Sequence, residues 1–129
     1  MPFDTNWEKQ GVYHQFSGQL TSRDRKHAMH EVMGDERFDT MKYWIIDSLA
    51  IKECMLEKSD AVDAAAFNIG AAYYNNNMLM VFAATNTDHR DNILHFMKIL
   101  KSGCNWKVRL FDDIESARQW ITEILKYNP

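Results

Sequence analysis

Two continuous apolar runs, Tyr43-Trp44-Ile45-Ile46 and Met78 to Ala84, most narrow what this chain can fold into. A strand that is apolar on both faces has to be covered on both, and helices provide that cover in largely parallel sheets. The segments around the runs supply the helices. Thr21-Ser-Arg-Asp24 has the capping-box form, a hydroxyl and an acid three residues apart, and opens a helix to about Met33 that Gly34-Asp35 ends. Ser59-Asp60 opens an alanine-rich helix to about Tyr74. Only Asp63 and Asn68 are polar between Ala61 and Tyr74, which predicts burial on most sides, and Asn75-Asn76-Asn77 ends it. Ile93, Phe96, Met97 and Leu100 follow the spacing of a helix face that stops at Gly103. After Asp112-Asp-Ile-Glu115, the residues Ile114, Ala117, Ile121, Ile124 and Leu125 mark a last amphipathic helix.

The remaining strands are shorter signals. Phe3 to Glu8 reads as a strand before a turn at Gly11, and Val12 to Ser17 alternates with the period of a strand until Gly18 breaks it. Ser48 to Lys58 reads as irregular connection, Thr85 to Asp88 as a polar loop, and Lys107 to Phe111 as an outer strand. The order ββαβαβαβα predicts an α/β fold: a mixed, mostly parallel sheet of four to five strands flanked by four helices. At 129 residues the chain matches one domain spanning 1–129, given about 150 residues per domain.

Charge and cysteine content narrow the function. Fifteen basic against eighteen acidic residues give a net charge of −3, whereas nucleic-acid binding needs a concentrated basic face. The densest basic stretch, Arg23-Asp-Arg-Lys-His27, is interrupted by an acid and reads as a solvated helix face, so no nucleic-acid partner is expected. Cys54 and Cys104 have no Cys-x-x-Cys partner and read as buried thiols rather than a disulfide or zinc site. His27 and His30 lie one helical turn apart without a marked third ligand, so neither metal nor cofactor is expected. No apolar run approaches the roughly 20 residues that span a bilayer. The first residues also lack a signal pattern, so no membrane span and a cytoplasmic location are expected.

In open parallel sheets, ligands sit beyond the carboxyl ends of the strands. Here that rim offers Asp47, Ser48, Thr85, Asn86, His89 and Arg90 as candidate binding residues, with Ser59, Asp88 and Asp112 read as helix caps. Asp47 and Thr85 at strand ends are two parts of a phospho-accepting receiver site. Ser17-Gly18 and Phe111-Asp112 stand where its acidic pair and lysine belong, so that chemistry is not expected. No phosphate loop and no Ser-His-Asp set is marked, and no enzymatic activity is expected.

Taken together, Gly11-Val-Tyr-His-Gln-Phe-Ser-Gly-Gln-Leu-Thr21, Arg37-Phe-Asp before Tyr43-Trp-Ile-Ile-Asp47, the alanine-rich helix, the strand to Ala84, and Phe111-Asp-Asp-Ile-Glu-Ser-Ala-Arg-Gln-Trp120 resemble the SpoIIAA-like family of the STAS superfamily. These are small bacterial domains related in fold to anti-sigma factor antagonists and to CRAL-TRIO lipid-binding domains. The resemblance implies a SpoIIAA/STAS-like sheet and action by binding rather than turnover. In the antagonists a kinase phosphorylates a serine before the helix after the third strand. That position falls near Leu56-Glu-Lys-Ser59-Asp60, which makes Ser59 the candidate phosphorylation site, with capping as its other reading.

Two functions follow as expectations. One is a regulatory module that binds a protein partner through the rim and the exposed face of the Ser59–Tyr74 helix. The other is a carrier or sensor of an apolar small molecule or lipid, resting on Met29, Met33, Met55, Met78, Met80 and Met97, whose thioethers adapt to varied guests. Trp7, Trp44, Trp106 and Trp120 further point to self-association as a homodimer.

Overall fold

The two apolar runs become neighbouring central strands because each is sandwiched between helices. The computed structural model describes residues 2–127. Its elements run β1 (Phe3–Trp7), β2 (Gly11–Leu20), α1 (Ser22–Met33), a 3₁₀ turn (Glu36–Asp39), β3 (Tyr43–Cys54), α2 (Lys58–Ala71), β4 (Leu79–Ala83), α3 (Thr87–Gly103), β5 (Lys107–Phe111) and α4 (Ile114–Tyr127). The five strands lie in sequence order, with β1 antiparallel to β2 and every later pair parallel. The expected mixed, mostly parallel sheet with four helices is therefore what forms.

This strand order decides where the helices go. Successive right-handed connections between strands added in one direction place every crossover helix on the same face. Accordingly Met29 and Val32 of α1, Ala61, Ala64 and Ala65 of α2, and Ile93, Phe96 and Leu100 of α3 share one core with Val12, Trp44, Met80, Phe82 and Val108. Only α4 returns to the other face, where Ala117 and Ile121 pack on Ile45, Leu79 and Val81. The alternate residues of β3 and β4 thus fill two different cores, and burying each large side chain contributes about 1.5–3 kcal/mol.

Several boundaries differ from the sequence reading, each for a physical reason. β2 does not stop at Gly18: the strand passes through it at φ 69°, a left-handed conformation that glycine tolerates, and continues to Leu20. β3 does not give way to irregular chain after Asp47 but runs on to Cys54, because its parallel ladder with β2 continues to the pair Leu20–Cys54. Two register shifts accompany the extension, one between Gln15 and Ser17 and one between Gly18 and Gln19. At the first, Ser48 and Leu49 of β3 oppose the single residue Phe16, which is a β-bulge.

The helix starts also move. α2 begins at Lys58, capped by Glu57, whose carboxylate and that of Asp60 form the reciprocal box, so Ser59 lies inside the first turn rather than at the cap. Asn86, not Asp88, caps α3, and Asp113, not Asp112, accepts the Ser116 amide at the start of α4. α2 is buried on one face only. Its outer face leaves Val62 and Phe67 exposed, and Tyr73 and Tyr74, in the turn after it, are exposed as well, Tyr73 at 88%. Both cysteines are free, and they are half-buried rather than buried.

Candidate functional site

Alternation along β3 puts two neighbouring residues on opposite faces of the sheet. Asp47 points toward α4. There it accepts the Tyr13 hydroxyl, and its Oδ1 accepts the amide of Leu49 at 3.0 Å, inside the bulge. Its carboxylate therefore satisfies backbone that the bulge takes out of the ladder. Ser48 points the opposite way, under α1, α2 and α3, and its Oγ lies 3.0 Å from His89 Nε2.

Ser48 and His89 line a cavity of about 40 Å³ between the sheet and the three helices. Its walls are mostly apolar and include Phe16, Trp44, Met80, Phe82 and Phe96, and into them are set His14, Arg25, Ser48, Asn68, His89 and Asn92. Each polar residue is placed by its own element. His89 sits in the first turn of α3, where its backbone N–H donates to the Asn86 cap at 3.0 Å. Arg25, on α1, donates from Nη1 to Asn92 Oδ1 of α3 at 3.1 Å and from Nη2 to the Asp60 carbonyl of α2, so one guanidinium ties three helices together. Asn92 in turn donates to the Glu57 carbonyl at 2.9 Å.

The two histidines differ in how far they are satisfied. The Trp44 indole N–H only donates, so at 3.0 Å it makes His14 Nδ1 the acceptor. The His14 proton then lies on Nε2, facing Thr5 Oγ1 at 3.1 Å. Both ring nitrogens of His14 are used. His89 engages only Nε2, and its Nδ1 has no partner among the described residues. Burial pushes both imidazoles down to about 4, with the nearby Arg25 charge adding to the effect at His89, so both are neutral at pH 7.

Two further buried atoms are left in the same condition, Arg25 Nε and Asn68 Oδ1. The orientation of Asn68 is fixed, because its Nδ2 donates to the Ala64 carbonyl at 2.7 Å and a carbonyl can only accept. All three unpartnered buried atoms among the described residues thus belong to residues lining this one cavity. An unmade buried hydrogen bond costs roughly 1–3 kcal/mol.

Of the residues expected at the strand-end rim, the structure brings Ser48 and His89 together at the cavity and gives Asn86 the task of capping the helix that carries His89. Asp47 lies across the sheet, on the α4 side. Thr85 is exposed in the loop after β4. Arg90 Nη1 donates to the Ala84 carbonyl at 2.6 Å and to Asp112 Oδ1 at 2.8 Å, joining the ends of β4 and β5. Ser59 is exposed on α2, away from the cavity walls. Sequence reasoning missed Arg25, Asn68, Asn92 and His14. Arg25 belongs to the basic stretch read as a solvated face, yet it turns inward. The one legible signal was Asn68, a lone amide in an alanine-rich helix.

Ser48 and His89 stand at the distance of a nucleophile and its base, but no carboxylate orients His89 from Nδ1 among the described residues. No group of three or more metal-ligating side chains occurs among them, and no helix among them is long and apolar enough to cross a membrane.

No protein-family model matches the chain, and no curated protein is significantly similar to it. Among solved structures, it is similar to the crystal structure of an uncharacterised DUF3478-family protein from Shewanella loihica PV-4, described as having a SpoIIAA-like fold. The two superpose with a TM-score of 0.53 at 10% sequence identity, over 92% of this chain and 91% of the other. The fold implied by the sequence resemblance is the fold found: this chain has a SpoIIAA-like α/β fold.

Proposed function

We propose that this chain is a binding module, acting without turnover, whose ligand is a small molecule held in the cavity under α1, α2 and α3. The observation that carries this reading is the convergence of Arg25 Nε, Asn68 Oδ1 and His89 Nδ1, all buried without a protein partner, on residues lining one otherwise apolar cavity. Buried polar groups are nearly always paired, and several unpaired ones around one space favour a guest that completes them. Size refines the sequence expectation. About 40 Å³ is roughly a quarter of an engineered apolar cavity of ~150 Å³ that binds benzene. The guest is therefore a few heavy atoms with polar character, and a lipid does not fit this form of the cavity.

A second reading, a regulatory module that binds a protein partner, is favoured by the outer face of α2. Val62 and Phe67 lie exposed there, with exposed Tyr73 and Tyr74 just beyond the helix, beside a groove that includes Met33, Phe38 and Ala71. Ser59 opens the same exposed face, where a phosphate would alter its charge. The two readings are compatible, because α2 also walls the cavity.

The test is saturation-transfer NMR of the purified protein against a panel of amides, acids and alcohols of up to about five heavy atoms. At least one saturable binder is expected, lost when Ser48→Phe fills the cavity. A panel with no saturable member overturns the small-molecule reading.

A further inference from the structure

Helices α1 and α2 run side by side in the same direction. Arg25 reaches the Asp60 carbonyl, the His30 ring stacks on Phe67 at 4.8 Å, and Met33 and Ala71 share a groove near the far ends. The outward face of this pair has an apolar middle and unlike ends. In the middle, Phe67 stands 46% exposed beside the groove, whose other walls include Ala66 and Gly70.

One end is basic. Lys26 lies one helical turn before His30, and Arg23 three residues before that, so the row of α1 that meets α2 begins with two cations. Neither makes an ion pair among the described residues. α1 itself gains nothing from them, because a helix dipole disfavours cations near its N-terminus. The other end is acidic. Asp39 lines the groove, and Glu36 lies three residues earlier in the same 3₁₀ turn, where side chains at that spacing eclipse. Both are exposed and without an ion pair among the described residues, while Arg37 is taken by Asp35 and lies over the Trp7 ring.

Gly70 is not there for the fold of one chain. A Cβ at that position would meet nothing within 4 Å, and glycine weakens a helix relative to alanine. What it offers is a surface on which another body can lie close.

These features complement one another about a two-fold axis. With the axis crossing α2 midway between Phe67 and Gly70, antiparallel copies set each Phe67 on the other's Gly70. Asp63 and Tyr74, both exposed, are also equidistant from that axis, so each carboxylate faces the other copy's phenol. The Lys26 end of each α1 then meets the Glu36–Asp39 turn of the other copy. A uniformly basic or acidic partner would suit one end and be repelled by the other. Taking ~200 Å² for an aromatic side chain, the exposed parts of Phe67, Tyr73 and Tyr74 come to about 400 Å² per copy. That is about half of the ~800 Å² that each partner contributes to a standard interface, which suits a weak, reversible dimer.

We propose that the outward face of α1 and α2 binds a second copy of this chain, antiparallel about a two-fold axis at Phe67 and Gly70. This rests on the protein-partner reading above and names the partner. The tryptophans do not carry it, since Trp44 and Trp106 are buried in the core.

The test is sedimentation equilibrium of the full chain from roughly 1 μM to 1 mM. A monomer–dimer equilibrium is expected, with Kd on the order of 10–100 μM for an interface of less than standard size. Gly70→Leu, which one chain has room for, and Phe67→Lys are each expected to weaken it at least tenfold. Lys26→Glu and Asp39→Lys are each expected to weaken it about fivefold, and the double variant to restore it to within about twofold. Loss without rescue overturns the antiparallel arrangement. A chain that stays monomeric overturns the second copy as occupant and leaves the protein-partner reading standing. A dimer that neither Gly70→Leu nor Phe67→Lys weakens overturns both, because the chain's protein contact then lies off the α2 face.

Discussion

The two faces of the sheet solve the same problem in opposite ways. On the α4 face, polar side chains are paired within the protein. Asp47 takes the Tyr13 hydroxyl and a bulge amide, while Glu8 takes the Tyr43 hydroxyl and both arms of Arg118. On the face covered by α1, α2 and α3, polar side chains are more deeply buried, yet three residues lining the cavity keep an unpartnered atom. The same strand supplies both, since Asp47 and Ser48 are adjacent in sequence. A closed polar network reads as structure, and an open one around a void reads as a place for a guest.

The largest expected effect tests this contrast with acid. Burial holds His14 and His89 down to about 4 in the folded chain, against the ordinary histidine value of 6.5. Between those values the unfolded chain holds protons that the folded one does not, so stability is complete above pH 6.5 and falls as pH drops toward 4. Each histidine is worth on the order of 3 kcal/mol over that window. The α4 face is spared until lower pH, because the Arg118 hydrogen bond holds Glu8 below its usual value of 4.5. Urea unfolding at pH 7 and pH 4.5 measures the loss. A flat profile across that interval would break the contrast.

Next in size is Tyr13→Phe, which removes the hydroxyl that meets a carboxylate only 5% exposed. It is expected to cost about 1–3 kcal/mol in the same assay. A cost near zero would mean that the α4 network is not closed in the way the geometry shows.

Smallest is Asn68→Leu on the opposite face. The amide already has an unmet acceptor, and an apolar residue of similar shape removes that liability along with the hydrogen bonds to the Ala64 carbonyl and the Met29 sulfur. The change is expected to stay within about 0.5 kcal/mol. A loss of 2 kcal/mol or more would show that Asn68 serves the fold rather than a guest.

The sheet was legible in the sequence because its signals are local. Tyr43–Ile46 and Met78–Ala84 state their own burial, and the amphipathic spacing of α3 and α4 needs no partner to be recognised. The long ladder of β2 and β3 was not legible, since residues 48–54 look like loop until β2 lies beside them. Ser59 looked like a cap because hydroxyls so often are, but the carboxylates of Glu57 and Asp60 form the box instead. Ser48 and His89 could be named as rim residues from strand ends alone. Arg25, Asn68 and Asn92 could not, because they come from three helices and converge only when the crossovers stack them on one face.

The overhang of β2 and β3 carries a last consequence. β4 pairs with β3 only as far as Asp47, and β1 pairs with β2 only as far as Phe16, so beyond these points a two-stranded ribbon stands clear of the sheet. From Ser48 to Cys54, β3 therefore shows a free edge, the kind of template on which another chain can add a strand. Two safeguards are built in. Lys52 and Glu53 place exposed charges along that edge, and the two register shifts twist the ribbon out of the flat geometry that stacking needs. The bulge that begins at Ser48, a wall of the cavity, also helps keep this edge from recruiting a neighbour.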